Sequence, residues 1–163
     1  MSQYSLDNFG AYQKANQLFD LVVEDMAELR KDPRCYRLIA QQVASADSVC
    51  ANIDEGYGRL SRGEYIRFLD FARGSARETR GRYQRMKHWL PMEIIEQRVG
   101  LADQIIGILT RTIGTLQSEL QKGSSKASYL RDEAPLYDND HELPPSEPDT
   151  RHSTPDLEPP ATD

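Results

Sequence analysis

Apolar residues recur at intervals of three and four in four successive blocks of this chain, and this pattern constrains the fold more than any other feature. The period matches one face of an α-helix, so each block predicts an amphipathic helix. The blocks run from about Asn8 to Arg30, Pro33 to Glu55, Ser61 to Trp89 and Pro91 to Gln121. No segment shows the alternation that a half-buried strand requires.

Short connections separate the four blocks. Pro33 ends the first helix because it disfavours a helical conformation at the residue before it. Gly56 and Gly58 are predicted to end the second helix in the left-handed conformation. Ser61 and Glu64 have the capping-box spacing, with Ser61 as N-cap and Glu64 reaching back. Long helices with such short connections predict an all-α, antiparallel up-down-up-down four-helix bundle.

The fourth block has the most regular pattern and predicts a heptad seam. Its apolar positions are Ile95, Val99, Ala102, Ile106, Leu109, Ile113, Leu116 and Leu120. Gly100, Gly107 and Gly114 repeat every seven residues beside this seam. Each glycine costs about 1 kcal/mol in a helix interior relative to alanine. Close approach of another helix would explain them, either inside the bundle or between subunits.

The composition changes after residue 122, which predicts a folded domain over residues 1–122 and a disordered, acidic, proline-rich tail over residues 123–163. Seven of the nine prolines lie at or beyond Pro135. Such a segment buries too little apolar surface to offset its ordering entropy. Residues 1–126 carry a net charge of +2 and residues 127–163 carry −8. The tail is either a solubilising extension or an internal polyanion that folds back over basic residues of the domain.

The remaining composition indicates a cytoplasmic protein with no metal and no cofactor. Cys35 and Cys50 fall in apolar helical patterns, which suit buried small side chains better than a disulfide or a metal site. The first residues lack the pattern of a signal peptide, and no apolar run is long enough to span a membrane. Two of the three histidines lie in the predicted tail, and His88 lacks a second ligand at a metal-binding spacing.

A dense run of positive charge is the strongest functional signal in the composition. Residues 59–88 contain eight arginines and one lysine against three acidic residues, a net charge of +6. Basic side chains on one helix face can neutralise phosphates and release counterions. The candidate nucleic-acid contacts are Arg73, Arg77, Arg80, Arg82, Arg85 and Lys87, with Arg59 and Arg62 at the preceding turn. The alternative is a solvated face with local ion pairs, such as one from Arg77 or Arg82 to Glu78.

A second set of polar residues could suggest an active site. It comprises Asn52, Glu55, Ser75 and Glu78. Paired carboxylates need a cleft and a shifted pKa for acid–base chemistry, and the sequence indicates neither. These residues are therefore predicted to cap the second helix and to form a polar network where the second and third helices meet.

One stretch of the chain resembles a known family. Residues 52–59 read Asn-Ile-Asp-Glu-Gly-Tyr-Gly-Arg and are followed by Ser61, Glu64, Arg67-Phe68-Leu69 and Gly74-Ser75. This resembles the bacterial 23S rRNA intervening-sequence family, over roughly residues 6–121, with Asp54 in place of a usual small residue. The resemblance implies a four-helix bundle that assembles as a homopentamer and has no known catalytic residues. It also implies kinship with the accessory variability determinant of diversity-generating retroelements, a positively charged pentamer that binds nucleic acid and partners a reverse transcriptase.

These observations together predict a non-enzymatic homo-oligomer, a pentamer if the resemblance holds, that binds RNA or DNA through a basic face of the third helix. It would be an accessory factor of a ribonucleoprotein or of a reverse transcriptase, which would perform the chemistry. The alternative is a protein–protein scaffold with no nucleic-acid role. An enzyme is a third alternative and would need a concave pocket with converging titratable groups.

Overall fold

The computed structural model describes residues 6–132, and the side chains of residues 6–122. Four α-helices account for most of this part of the chain: α1 (Gly10–Leu29), α2 (Tyr36–Tyr57), α3 (Arg62–Arg85) and α4 (Met92–Asp132). Short 3-10 turns, Leu6–Asn8 and Pro33–Cys35, precede α1 and α2. The described residues contain no strand, and the predicted all-α four-helix class is confirmed. The predicted disorder of residues 133–163 falls outside the described residues.

Each helix packs against its neighbours in the sequence, and α1 also packs against α4. Three pairs of side chains connect α3 to α4: Arg62 with Glu119, Arg73 with Thr110 and Arg80 with Asp103. Residue numbers rise along α3 as they fall along α4, so these two helices run antiparallel. The first residues of α1 likewise meet the last turn of α2, where the Tyr12 hydroxyl donates to Asp54 Oδ2 at 3.1 Å.

A single apolar core lies between the four helices, because each helix turns its three-four stripe inward. The largest side chains with almost no exposure are Tyr83, Leu18, Met26, Ile53, Leu69, Met86, Ile105 and Leu109. Small residues such as Ala11, Ala46 and Ala76 are also fully buried and let the helices pack closely. Burying such side chains contributes about 1.5–3 kcal/mol each, which is why the pattern determines the fold.

The seam predicted on α4 is only partly correct. Ile95, Ala102, Leu109 and Ile113 are buried, whereas Leu120 is 41% exposed. Arg98, Leu101 and Ile105 are buried although they lie off the predicted seam. The reason is that α4 packs against both α1 and α3, so its buried stripe is wider than a two-helix seam.

Two helix ends differ from the prediction. α3 ends at Arg85, four residues before Trp89, and Met86 is its C-cap with φ −85° and ψ 11°. α4 continues to Asp132, past the predicted end at Gln121 and into the segment assigned to the tail. At 1.5 Å per residue, α4 is about 60 Å long while the other helices are about 30–36 Å. Its last turns therefore extend beyond the bundle.

The glycines at the end of α2 do not adopt the predicted left-handed conformation, since no described glycine has a positive φ. Gly56 instead lies inside α2 and is buried. A Cβ there would stand 2.9 Å from Phe68 Cβ and 3.2 Å from Tyr65 Cδ2. Gly56 is needed because α3 passes too close for any side chain. Gly58 is the C-cap with φ −76°, and its N–H donates to Asp54 O.

Two polar clusters lie within the bundle. The Asp25 carboxylate accepts from the Tyr83 hydroxyl at 2.7 Å and from Arg98 Nε and Nη2 at 2.9 and 3.1 Å. This triad joins α1, α3 and α4. Between α2 and α3, Gln42 Nε2 donates to Thr79 O at 3.3 Å, while Gln42 Oε1 is buried without a partner.

The three heptad-spaced glycines of α4 have no other helix in close contact. A Cβ at Gly100 or Gly114 would meet nothing within 4 Å, and one at Gly107 would meet only the end of the Arg111 side chain at 3.8 Å. Gly100 lines a groove together with Lys14 and Leu21 of α1. Close packing within the described bundle therefore does not explain the glycines, and contact between subunits stays a prediction.

Candidate nucleic-acid interface

The capping serine that starts α3 sets the register of the basic residues along it. Ser61 Oγ accepts from the backbone N–H of Glu64 at 3.2 Å, which confirms Ser61 as the N-cap, whereas the predicted return hydrogen bond from Ser61 N–H to the Glu64 carboxylate is not formed. The apolar stripe of α3 then faces the core, and the arginines flank it. Arg73, Arg80 and Arg82 lie at its edges, whereas Arg77 and Arg85 point to solvent.

The arginines at the edges of α3 already have acidic or polar partners within the chain. Arg73 pairs with Asp70 at 2.6 Å, Arg80 pairs with Asp103 on α4 at 2.6 Å, and Arg82 pairs with Glu78. Arg82 also donates to Gln41 Oε1 on α2 at 2.8 Å. The Nε atoms of all three arginines are buried without a partner. These side chains brace α3 against its neighbours, and their charge is largely neutralised.

The two candidate arginines near the start of α3 are paired as well. Arg59 pairs with Glu55, and its guanidinium lies 4.7 Å from the centre of the Phe68 ring. Arg62 pairs with Glu119 of α4 at 2.9 Å. Exposed pairs of this kind contribute about 0–1 kcal/mol to stability, so a phosphate can replace the carboxylate at little cost.

Three of the predicted contacts have no ion pair or hydrogen bond among the described residues: Arg77, Arg85 and Lys87. All three are exposed. Lys87 was predicted to lie on the basic face of the third helix, but α3 ends before it and it lies in the turn to α4. The unpaired members of the predicted set therefore lie in the second half of α3 and in the turn that follows.

The predicted polar network between α2 and α3 does not form from the predicted residues. Asn52 donates to Ser48 O at 2.7 Å, and Ser75 donates to Phe71 O at 3.1 Å, each within its own helix. Glu55 and Glu78 pair with arginines on their own segments. The sequence did not reveal Gln42 and Thr79, which do join the two helices, because their positions look apolar by periodicity.

The surface formed by α1 and α2 is acidic around Cys50. Burial, followed by the nearby carboxylates of Asp47, Asp54 and Asp20, raises the pKa of the Cys50 thiol to about 11. Cys35 is fully buried, which raises the pKa of its thiol as well. Both cysteines are free. In the described part of the chain, no group of three His, Cys, Asp or Glu residues could hold a metal ion.

A cleft of about 530 Å³ lies where the start of α1 meets the turn between α2 and α3. Its lining includes Phe9, Leu60, Tyr65, Leu116 and the two turn arginines. The lining residues include no carboxylate, histidine or cysteine, so they offer no acid–base pair. None of the helices in the described residues is long and apolar enough to cross a membrane.

The fold and these surfaces define a small helical-bundle protein with one basic and one acidic side. Residues 7–111 match the family model of the 23S rRNA-intervening sequence protein. This match spans more than half of the chain, and the protein belongs to that family, as the resemblance of residues 52–75 indicates.

The fold is similar to that of a protein of unknown function from the S23 ribosomal protein family of Bacteroides thetaiotaomicron, whose solved structure matches with a TM-score of 0.60 and 22% identity. The match covers 63% of this chain and 97% of that chain. No curated protein matches this chain.

Proposed function

We propose that this protein is a non-enzymatic, homo-oligomeric helical bundle that binds nucleic acid as an accessory factor. The observation that carries the proposal is the group of three exposed basic side chains that have no carboxylate partner among the described residues. They are Arg77 and Arg85 on α3 and Lys87 in the turn behind it. A cation with no partner gains the full benefit of a phosphate contact, whereas a paired one must first release its carboxylate.

The number of free cations sets the expected strength of binding. Three phosphate contacts per subunit give a slope of log affinity against log salt of about −2.7 on a duplex and about −2 on a single strand. Such binding is weak for one subunit and becomes useful when several subunits contact the same strand. Nucleic-acid binding by this surface therefore depends on assembly.

The heptad-spaced glycines of α4 support assembly of this kind. A Cβ at Gly100 or Gly114 would meet nothing within 4 Å, so each of these glycines costs about 1 kcal/mol of helix stability without a packing reason inside the described chain. The surface of α1 and α2 around Cys50 is acidic, whereas α3 is rich in arginine. Unlike surfaces favour head-to-tail contacts, which form a ring where the rotation between subunits closes. That the ring has five subunits, and that the protein partners a reverse transcriptase, are proposals that rest on the family resemblance alone.

Filter binding of the full chain to labelled RNA and DNA, at about 50 and 200 mM salt, tests the nucleic-acid proposal. Replacing Arg77, Arg85 and Lys87 with glutamine should abolish binding and flatten the salt dependence. The matched control removes the same charge elsewhere, at Lys14, Arg67 and Lys122, and should retain the salt slope. If the unmodified chain binds nothing at low salt, the nucleic-acid proposal fails and the protein-scaffold alternative replaces it.

A separate experiment tests assembly. Gly114→Leu adds a bulky side chain at an exposed position where a Cβ would meet nothing within 4 Å. We expect the mass measured by light scattering to fall towards that of a single chain. The control is Ala27→Leu, at an exposed position of α1. An unchanged mass for Gly114→Leu would exclude the heptad-spaced glycines of α4 as an interface.

A further inference from the structure

The two connections at one end of the bundle meet and form a surface that the sequence does not reveal. The Trp89 indole Nε1 donates to Asp32 Oδ2 at 3.3 Å. This contact places the α3–α4 turn beside the α1–α2 turn, although the two residues are 57 positions apart in the sequence. We call the surface formed by residues 30–37 and 85–92 the basic–aromatic end.

The charge at this end is positive. Residues 30–37 contribute four basic residues, and residues 85–92 contribute two. Lys31 pairs with Glu28, and Arg34 pairs with Asp32, whose pKa this arginine holds well below its usual range. The other four have no carboxylate partner among the described residues and are exposed: Arg30, Arg37, Arg85 and Lys87.

Partly exposed aromatic rings lie among these charges. Trp89 is 41% exposed and Tyr36 is 61% exposed. The His88 ring stands perpendicular to the indole, with ring centroids 6.0 Å apart and an interplanar angle of 89°. Tyr36 lines a shallow depression together with Arg30. By contrast, the exposed aromatic ring of α3, Phe71, lies under the Arg67 guanidinium at 5.3 Å.

We infer that the basic–aromatic end binds single-stranded nucleic acid, with unpaired bases stacked on Trp89 and Tyr36 and phosphates held by Arg30, Arg37, Arg85 and Lys87. Stacking on aromatic side chains combined with backbone neutralisation is how proteins bind single strands without sequence preference. A duplex buries the faces of its bases and cannot use the rings. This inference rests on the proposed nucleic-acid binding and adds to it the strand type and the site.

The interaction has a built-in reporter because Trp89 is the only tryptophan in the chain. A base stacked on the indole should quench its emission. The full chain is titrated at low salt with a labelled twenty-nucleotide oligo(dT), an oligo(U) of the same length and a mixed-sequence DNA duplex of twenty base pairs. Anisotropy of the label reports binding, and tryptophan emission reports contact with Trp89. We expect quenching by both single strands and none by the duplex.

Substitutions then separate stacking from charge. Trp89→Leu and Tyr36→Leu remove a ring and keep an apolar side chain, and each should weaken single-strand binding about tenfold with little effect on the duplex. Arg67→Gln, on the outer face of α3, is the matched control and should leave single-strand affinity almost unchanged. Circular dichroism checks that each variant is folded. The quenching of tryptophan emission is measured on the unmodified chain, so that test does not depend on the folding of any variant.

The outcomes distinguish this inference from the broader proposal. If oligonucleotides bind but tryptophan emission and the affinity of Tyr36→Leu are unchanged, the strand lies elsewhere and the basic–aromatic end is excluded as its site. Equal affinity for duplex and single strand would also overturn the inference and leave nucleic-acid binding intact. If no probe binds at low salt, the proposed function itself fails.

Discussion

The buried triad of Asp25, Tyr83 and Arg98 allows a quantitative test of the fold. The Asp25 and Arg98 side chains are only 9% and 10% exposed, and together with Tyr83 they join three of the four helices. The hydrogen bond to Asp25 raises the pKa of Arg98, and burial together with this same carboxylate raises the pKa of Tyr83. Asp25→Ala therefore strands a charged guanidinium and a hydroxyl in the core.

The expected cost follows from the groups that lose their partner. An uncompensated buried charge costs about 3–5 kcal/mol, and an unsatisfied buried hydroxyl costs about 1–3 kcal/mol. The two effects share one site and are not additive, so about 4 kcal/mol is a reasonable total. A domain of this size has about 5–15 kcal/mol of stability, so the variant should lose a large part of it.

Urea unfolding followed by circular dichroism measures this loss, at one fixed protein concentration because assembly would also stabilise the fold. With a slope of about 2 kcal/mol per molar urea, the midpoint should fall by about 2 M. Tyr83→Phe should cost only about 1 kcal/mol, because Asp25 keeps both bonds to Arg98. The control is Glu24→Ala, at the exposed neighbouring position, and should change stability by less than about 0.5 kcal/mol.

A double variant tests the physical reason. Asp25→Leu combined with Arg98→Met replaces the ion pair with apolar side chains and should recover most of the stability that Asp25→Ala loses. If Asp25→Ala costs no more than Tyr83→Phe, the guanidinium must find water or another partner. The argument that the ion pair is desolvated would then be wrong.

Three further predictions concern other parts of the molecule. Gly56→Ala should destabilise the fold by about 1–3 kcal/mol in urea unfolding, because α3 leaves no room for a Cβ, whereas Gly74→Ala, in open space, should not destabilise it. The rate at which iodoacetamide alkylates Cys50 should rise about tenfold for each pH unit between pH 8 and 10, because the thiolate fraction rises by that factor below a pKa of about 11. At pH 8 the rate should be about 100-fold lower than for a thiol of pKa 9.0. A rate at pH 8 close to that of such a thiol would contradict this prediction. Removal of residues 133–163, which carry −8, should tighten oligonucleotide binding at about 10 mM salt but not at 150 mM; equal affinities at low salt would show that the acidic segment is inert.

The sequence predicted the helices well because their stripes and caps are local. Ser61 caps α3 as its spacing with Glu64 indicates, and Ala72, Ala76, Thr79 and Tyr83 are buried as the period of α3 indicates. The predicted left-handed conformation at the end of α2 was wrong. Gly56 makes room for the neighbouring helix α3, and in the sequence such a glycine looks the same as one that ends a helix.

The candidate site was harder to predict because its character depends on distant partners. Arg80 finds Asp103 and Arg62 finds Glu119, and no count of local charges reveals such pairs. The sequence did not indicate Arg30 and Arg37 as candidate contacts for the same reason. They lie on the same surface as Lys87 only because the α1–α2 turn and the α3–α4 turn meet. Asp25 was missed because a charged residue on an amphipathic helix is normally assigned to solvent.

The length of α4 has an electrostatic consequence. This helix starts at the basic–aromatic end and runs over 41 residues, about 60 Å, to Asp132. The positive charge of the basic–aromatic end is therefore concentrated at one end of the longest helix and is not spread along it. Under the proposed function, such a localised charge would orient an approaching polyanion at long range towards that end.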